Sequence, residues 1–145
     1  MKPTCIDAFC GAGGLGLGLK KAGFDLLYSF DKDEKSVKTH QLNQKYFDHS
    51  CDIKDICELD SAKLLKSLGI KKGELALFAG GPPCQGFSIQ RIGNDDDERN
   101  SLIQIYINKI LEIFPKFFLL ENVPGIKGKR GQELLKNALA RAEVA

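Results

Sequence analysis

Short apolar runs alternate with longer helix-like stretches along the whole chain, and this is the pattern of βαβ units, which restricts the fold to a parallel sheet covered by helices. Runs at Thr4 to Phe9, Phe24 to Phe30, His49 to Ile53, Leu75 to Ala79 and Phe117 to Leu120 read as strands. The Gly11 to Gly14 turn opens a helix reaching about Ala22, and further helices are expected over Glu34 to Asn43, over Ser61 to Leu68, from about Ser101, and from Gln132. Gly23 terminates the first helix, and Pro115 ends the one that starts near Ser101. In that helix Leu102, Ile103, Ile107, Ile110, Leu111 and Phe114 keep the spacing of one apolar face. With right-handed crossovers, the segments that follow the strands gather at the carboxyl edge of the sheet, where open α/β sheets bind their ligands. A length of 145 residues and 43% hydrophobic content suit one domain with a single modest core.

Three of those strand-end segments carry chemistry. Gly11-Ala12-Gly13-Gly14-Leu15-Gly16 satisfies G-x-G-x-x-G between a strand and a helix, with Asp31 about 20 residues on at the end of the next strand. Glycines let a ligand approach the backbone, and a carboxylate at the second strand can accept both hydroxyls of a ribose. These demands are shared by nicotinamide dinucleotides, flavins and S-adenosylmethionine, so the loop specifies an adenosine-bearing cofactor without choosing among them. A plain tight turn is the bland alternative.

The second segment, Gly80-Gly81-Pro82-Pro83-Cys84-Gln85-Gly86-Phe87-Ser88, holds a cysteine in a proline-stiffened loop straight after an apolar strand. A free thiol is only a few per cent thiolate at neutral pH, so a nucleophilic cysteine needs a tuned setting such as a strand end offers. Cys5, Cys10, Cys51 and Cys57 read instead as small buried hydrophobes. The third segment is Glu121-Asn122-Val123, which follows the last apolar run.

Together these stretches resemble the C5-cytosine DNA methyltransferases. Asp7, Phe9, Gly11, Gly13, Gly14 and Leu15 match the family's D-x-F-x-G-x-G-G-L loop, P-P-C-Q-G-F-S matches its catalytic motif, and Glu121-Asn122-Val123 matches its E-N-V motif. The resemblance implies a Rossmann-like S-adenosylmethionine-dependent methyltransferase fold, a mostly parallel sheet with helices on both faces, here carried through about five strands. It implies a cofactor site of Phe9, Gly11, Ala12, Gly13, Gly14, Leu15, Asp31, Asp52, Ile53 and Pro83, with Phe9 against the adenine, Asp31 on the ribose and Asp52-Ile53 at the adenine edge. Many members carry a tryptophan after the ribose-binding acid; this chain has Lys32 there and no tryptophan anywhere.

The same resemblance assigns Cys84 as the nucleophile and Glu121 as the group that contacts the target base, with Asn122, Gln85 and Arg99 around them. The chemistry accounts for both residue types. C5 of cytosine is too weak a nucleophile to take a methyl group from a sulfonium, so a thiolate first adds to C6 and turns the ring into an enamine. A carboxyl group sharing a proton at N3 stabilises the charge that develops there. These atoms are out of reach inside a duplex, and the cytosine must be flipped out at a cost of a few kcal/mol. The polar segment Gly93 to Arg99 follows the cysteine loop, and Lys127, Lys129 and Arg130 form a short basic cluster that could touch phosphates or simply be solvated.

The implied partners are double-stranded DNA and a second polypeptide or a further C-terminal part, because the family's Q-x-R-x-R motif and target-recognition region are absent from these residues. Residues 1–145 are therefore expected to form a partial catalytic domain. A tRNA cytosine-5 methyltransferase and a nicotinamide-dependent oxidoreductase domain stand as alternatives. The net charge of +2 is compatible with nucleic acid but decides nothing. An odd number of cysteines without a C-x-x-C pair fits a reducing, cytoplasmic setting, and nothing approaches the about 18 to 20 consecutive apolar residues of a membrane span.

Overall fold

The computed structural model describes residues 1–83, 102–122, 132–133, 135–137 and 139–140. Five parallel strands lie in the order β3-β2-β1-β4-β5, with β1 Thr4–Ala8, β2 Asp25–Asp31, β3 Ser50–Ile53, β4 Leu77–Gly80 and β5 Phe117–Leu120. The chain winds outward from β1 through β2 to β3, then crosses back to build β4 and β5 on the other side. The reversal lies between β1 and β4, where such sheets open a ligand crevice. Register brings the strand ends level: Ala8 pairs with Phe30 on one side and Gly80 on the other, and Gly80 pairs with Leu120.

Alternation along the strands sends side chains to two packed faces. Ile6, Ala8, Tyr28, Phe30 and Phe78 build the larger core with helices α3 (Ser61–Ser67) and α4 (Leu102–Ile113). Cys5, Leu26, Leu77 and Ala79 build a second core with Leu19 of helix α1 (Gly14–Lys21). Helix α2 (Glu34–Leu42) adds Val37 to a small cluster with Cys10 and Cys51. Helices thus cover both faces, as the sequence pattern requires.

Local chemistry sets the helix starts. Asp33 caps α2 by accepting from the Ser36 N–H, and Asp60 caps α3 by accepting from the Lys63 N–H, each at 2.9 Å. Helix α1 has no such side-chain cap; it starts from Gly13 at φ +98, where an added Cβ would lie 2.5 Å from the Phe47 ring and 2.8 Å from His40 Nδ1. Only glycine suits that position.

The expected elements are present, with differences at their edges. β4 begins at Leu77 rather than Leu75 and takes in Gly80. Leu75 is nevertheless fully buried, and its carbonyl accepts from the Lys116 N–H. Phe114, expected on the buried face of α4, is 58% exposed at φ +56 because the helix stops at Ile113, which takes the buried place. Tyr106, not among those apolar positions, is fully buried. Its O–H lies 2.8 Å from the Leu119 carbonyl and 3.2 Å from that of Phe78, tying α4 to both β4 and β5. Ser101 lies outside the described residues, and residues 132–133, 135–137 and 139–140 are helical as expected. Along β5, Phe117, Phe118 and Leu119 remain exposed.

Candidate active site

At the carboxyl end of β1 the chain turns through Phe9, whose φ of +58 is rare for a side-chain-bearing residue. The Cys10 N–H donates to the Phe30 carbonyl, and the Gly11 N–H donates to Asp31 Oδ2 at 2.9 Å. Asp31 Oδ1 accepts from the Asp33 N–H, also at 2.9 Å. One carboxylate therefore locks the end of β2 to the glycine loop. Each of its oxygens keeps a second lone pair for an outside donor such as a ribose hydroxyl.

Phe9 and Asp31 line one cleft, together with Lys32, Lys54, Asp55, Ile56 and Leu102. Asp52 and Ile53 do not line it. The Asp52 carboxylate accepts from the Tyr28 hydroxyl at 3.0 Å, and Ile53 is 54% exposed. Lys54 and Asp55, the next residues along, line the cleft. Lys32 was visible in the sequence as the residue after Asp31; Leu102 was not, because its part in the cleft depends on how α4 crosses the sheet.

Beneath the loop, Asp7 is fully buried and both carboxylate oxygens lack a hydrogen-bond partner among the described residues. Burial pushes its carboxyl up to about 7; the nearby Gly16 N–H works against the rise, and the Asp31 charge adds to it. A Cβ on Gly16 would stand 3.0 Å from Asp7 Oδ2, so this glycine is what lets α1 settle onto the carboxylate.

The ends of β4 and β5 form a second cluster beside the first. The Glu121 N–H donates to the Gly80 carbonyl at 2.9 Å, and the Asn122 side-chain amide donates to the Pro82 carbonyl at 2.9 Å. A Cβ on Gly81 would lie 2.9 Å from Glu121 Oε2, so the glutamate packs over the bare glycine. At Gly80 a Cβ would fall 2.7 Å from the Ala8 carbonyl, which leaves no side-chain space between β1 and β4. Glu121 is exposed, Pro82 buried and Pro83 exposed. Glu121 and Asn122 thus hold the turn that leads into Cys84. Cys84, Gln85 and Arg99 themselves lie outside the described residues, as do Lys127, Lys129 and Arg130.

A 3-2-1-4-5 parallel sheet with a glycine loop, a ribose-competent carboxylate and a braced proline turn at its carboxyl edge has the Rossmann-like architecture that binds nucleotide-bearing cofactors. Residues 3–143 match the family model for the C-5 cytosine-specific DNA methylases, and the chain belongs to that family. It is 42% identical over 138 residues to the type II methyltransferase M.AgeI of Thalassovita gelatinovora, and 36% identical over 138 residues to M.XorII of Xanthomonas oryzae pv. oryzae. Each alignment covers 95% of this chain and 32% of the relative, so the chain spans about a third of the length of these proteins.

Among solved structures it is similar to an E. coli protein described as a DNA modification methyltransferase encoded within a prophage, with 33% identity, a TM-score of 0.77, and coverage of 95% of this chain and 37% of the other. The Dnmt2 methyltransferase of S. pombe shares the fold at 21% identity and a TM-score of 0.64, covering 97% of this chain and 41% of that one. Among the described residues, no helix is long and apolar enough to cross a membrane.

Proposed function

We propose that this chain is the cofactor-binding and catalytic portion of a DNA cytosine-5 methyltransferase, using S-adenosylmethionine to methylate C5 of a flipped cytosine. The observation that carries the reading is the joining of two sites at adjacent strand ends. The Gly11 N–H is held by Asp31 on one side, and the Gly80 to Pro82 turn is held by Glu121 and Asn122 on the other.

The residues fit the cofactor. Phe9 and Leu102 are apolar neighbours of Asp31, and each Asp31 oxygen keeps a lone pair for a ribose hydroxyl. Gly11, Ala12, Gly13, Gly14 and Leu15 border the loop, and Pro83 leads towards the reacting end. When bound, S-adenosylmethionine supplies an electrophilic methyl group.

The chain's own residues prepare the base. Cys84, two residues beyond the carbonyl that Asn122 holds, adds as thiolate to C6. Glu121 shares a proton with N3 as charge develops there, and the ring becomes an enamine nucleophilic at C5. After methylation, loss of the C5 proton and of the Cys84 sulfur restores the aromatic ring. Gln85 and Arg99 contact the flipped nucleotide. Asp52 and Ile53 contribute through the adenine edge, with Lys54 and Asp55 inside the cleft beside them.

Duplex DNA is the substrate, and residues 1–145 form a partial catalytic domain. The exposed Phe117, Phe118 and Leu119 of β5 support a further polypeptide segment, in the same or another chain, that covers this edge and reads the target sequence. The test is transfer of labelled methyl groups into duplex DNA and into tRNA. The 145 residues alone should bind cofactor but methylate poorly; with the C-terminal portion that the longer relatives carry, label should enter DNA, and Cys84→Ala should abolish it. Full transfer by Cys84→Ala, or label entering tRNA alone, refutes the proposal.

A further inference from the structure

Behind the cofactor loop, on the face of the sheet that carries α1, three chain segments bring two thiols and an imidazole together. Cys10 comes from the loop after β1, His40 from α2 and Cys51 from β3; all three are buried, and their potential ligand atoms lie within 4.8 Å of one another. Cys10 Sγ and Cys51 Sγ are 3.7 Å apart. Both cysteines are free thiols. Zn–S bonds of about 2.3 Å at a tetrahedral angle place two ligating sulfurs about 3.8 Å apart, whereas a disulfide requires about 2.05 Å. At the observed spacing the two thiols share an S–H···S contact, and the same spacing suits two sulfurs on one metal ion.

His40 supplies the independent observation. It is 1% exposed, and neither ring nitrogen has a hydrogen-bond partner among the described residues. A buried imidazole that satisfies neither nitrogen is costly, and an ion is one of the few things that explains it. Its ring is stacked on Phe47 at 3.9 Å and stands edge-on to His49 at 5.2 Å, so its orientation is fixed by packing. A pocket lined by His40, Gln44, His49 and Cys51 gives an access route and room for a water as the fourth ligand.

We propose that Cys10, His40 and Cys51 form a zinc site that fastens the cofactor loop to α2 and β3. On binding, Zn²⁺ takes both cysteines as thiolates and the imidazole as a neutral donor, and two thiol protons leave to solvent. No oxidant is involved. The consequence for the loop is direct. Cys10 precedes Gly11, whose N–H is held by Asp31, and its own carbonyl accepts from the Gly13 N–H at 2.9 Å. Fixing Cys10 therefore fixes the backbone that faces the cofactor, while the site stands or falls independently of the methyltransferase reading.

The test uses the purified, thiol-reduced chain. Elemental analysis after dialysis against micromolar zinc should find about one equivalent per chain, as a site with three protein ligands predicts. Cobalt(II) added to the metal-free protein should give a thiolate-to-metal charge-transfer band together with the intense visible bands of a tetrahedral site, and zinc should displace both. Cys10→Ser and Cys51→Ser should each lower retained zinc at least about tenfold, while Cys57→Ser, at an exposed cysteine, should leave it unchanged. Should a variant fail to fold, the cobalt spectrum of the unaltered protein still decides. Absence of thiolate–cobalt bands, retention of zinc by the Cys10→Ser/Cys51→Ser double variant, or a metal-free Cys10–Cys51 disulfide in the freshly reduced protein would each overturn the proposal.

Discussion

Asp7→Asn isolates the buried carboxyl under the cofactor loop. The side chain is fully buried, both oxygens lack partners among the described residues, and burial lifts the carboxyl from 3.8 to about 7. The folded chain therefore keeps this proton up to about pH 7, whereas the unfolded chain gives it up near 3.8. Its contribution to stability is complete below about 3.8, declines as the pH rises to about 7, and is constant above that. About 3 pH units at about 1.4 kcal/mol each set a ceiling of about 4 kcal/mol.

His49 acts in the opposite sense. Burial, with the neighbouring His40, holds its imidazole down at about 4 rather than 6.5, so its contribution rises with pH between those values. His40 is lowered by burial too. The raw pH profile thus mixes falling and rising terms, and the difference between variant and parent removes the histidines. Urea unfolding followed by circular dichroism across about pH 4 to about pH 8 should show Asp7→Asn gaining relative to the parent by up to about 4 kcal/mol as the pH rises. A difference that stays constant across that range refutes the argument.

Gly80→Ala forces a Cβ to within 2.7 Å of the Ala8 carbonyl and 2.8 Å of the Tyr106 ring, and should cost about 1 to 3 kcal/mol in urea unfolding. Gly81→Ala meets the movable Glu121 carboxylate at 2.9 Å, so it should lower methyl transfer in the completed enzyme while moving the unfolding midpoint much less than Gly80→Ala. Tyr106→Phe removes the O–H shared between the Leu119 and Phe78 carbonyls and should destabilise by about 1 to 3 kcal/mol, the penalty for stranding buried acceptors. Asn122→Ala releases the Pro82 carbonyl and should reduce covalent trapping of 5-fluorocytosine DNA with unchanged affinity for S-adenosylmethionine.

Strand positions were legible because most of the strands are short apolar runs between turn residues; β5 falls on Phe117–Leu120 as read, although three of its four residues are exposed. The glycine loop and Asp31 were legible because their spacing has a chemical purpose, and the Gly11 N–H to Asp31 bond joins residues 20 apart. Apolar periodicity misplaced Phe114, since it cannot see that a left-handed residue at the helix end swings the ring outward. It also passed over Tyr106, whose hydroxyl finds carbonyls on two strands that no local pattern reveals. Cys10 and Cys51 read as small buried hydrophobes and His40 as one residue of the Glu34 to Asn43 helix, because their meeting depends on packing among a loop, a helix and a strand. The cleft residues Lys54, Asp55 and Leu102 were missed for the same reason.

The central claim, that the loop after β1 and the carboxylate ending β2 form an S-adenosylmethionine site, is tested most directly by calorimetric titration of this chain and its Asp31→Ala variant. S-adenosylmethionine should bind saturably at one per chain, and NADH should not bind. Loss of a charged hydrogen-bond acceptor is worth about 1.5 to 3 kcal/mol, so Asp31→Ala should weaken the cofactor at least about tenfold. Preference for NADH, or an S-adenosylmethionine affinity unchanged in Asp31→Ala, would contradict it.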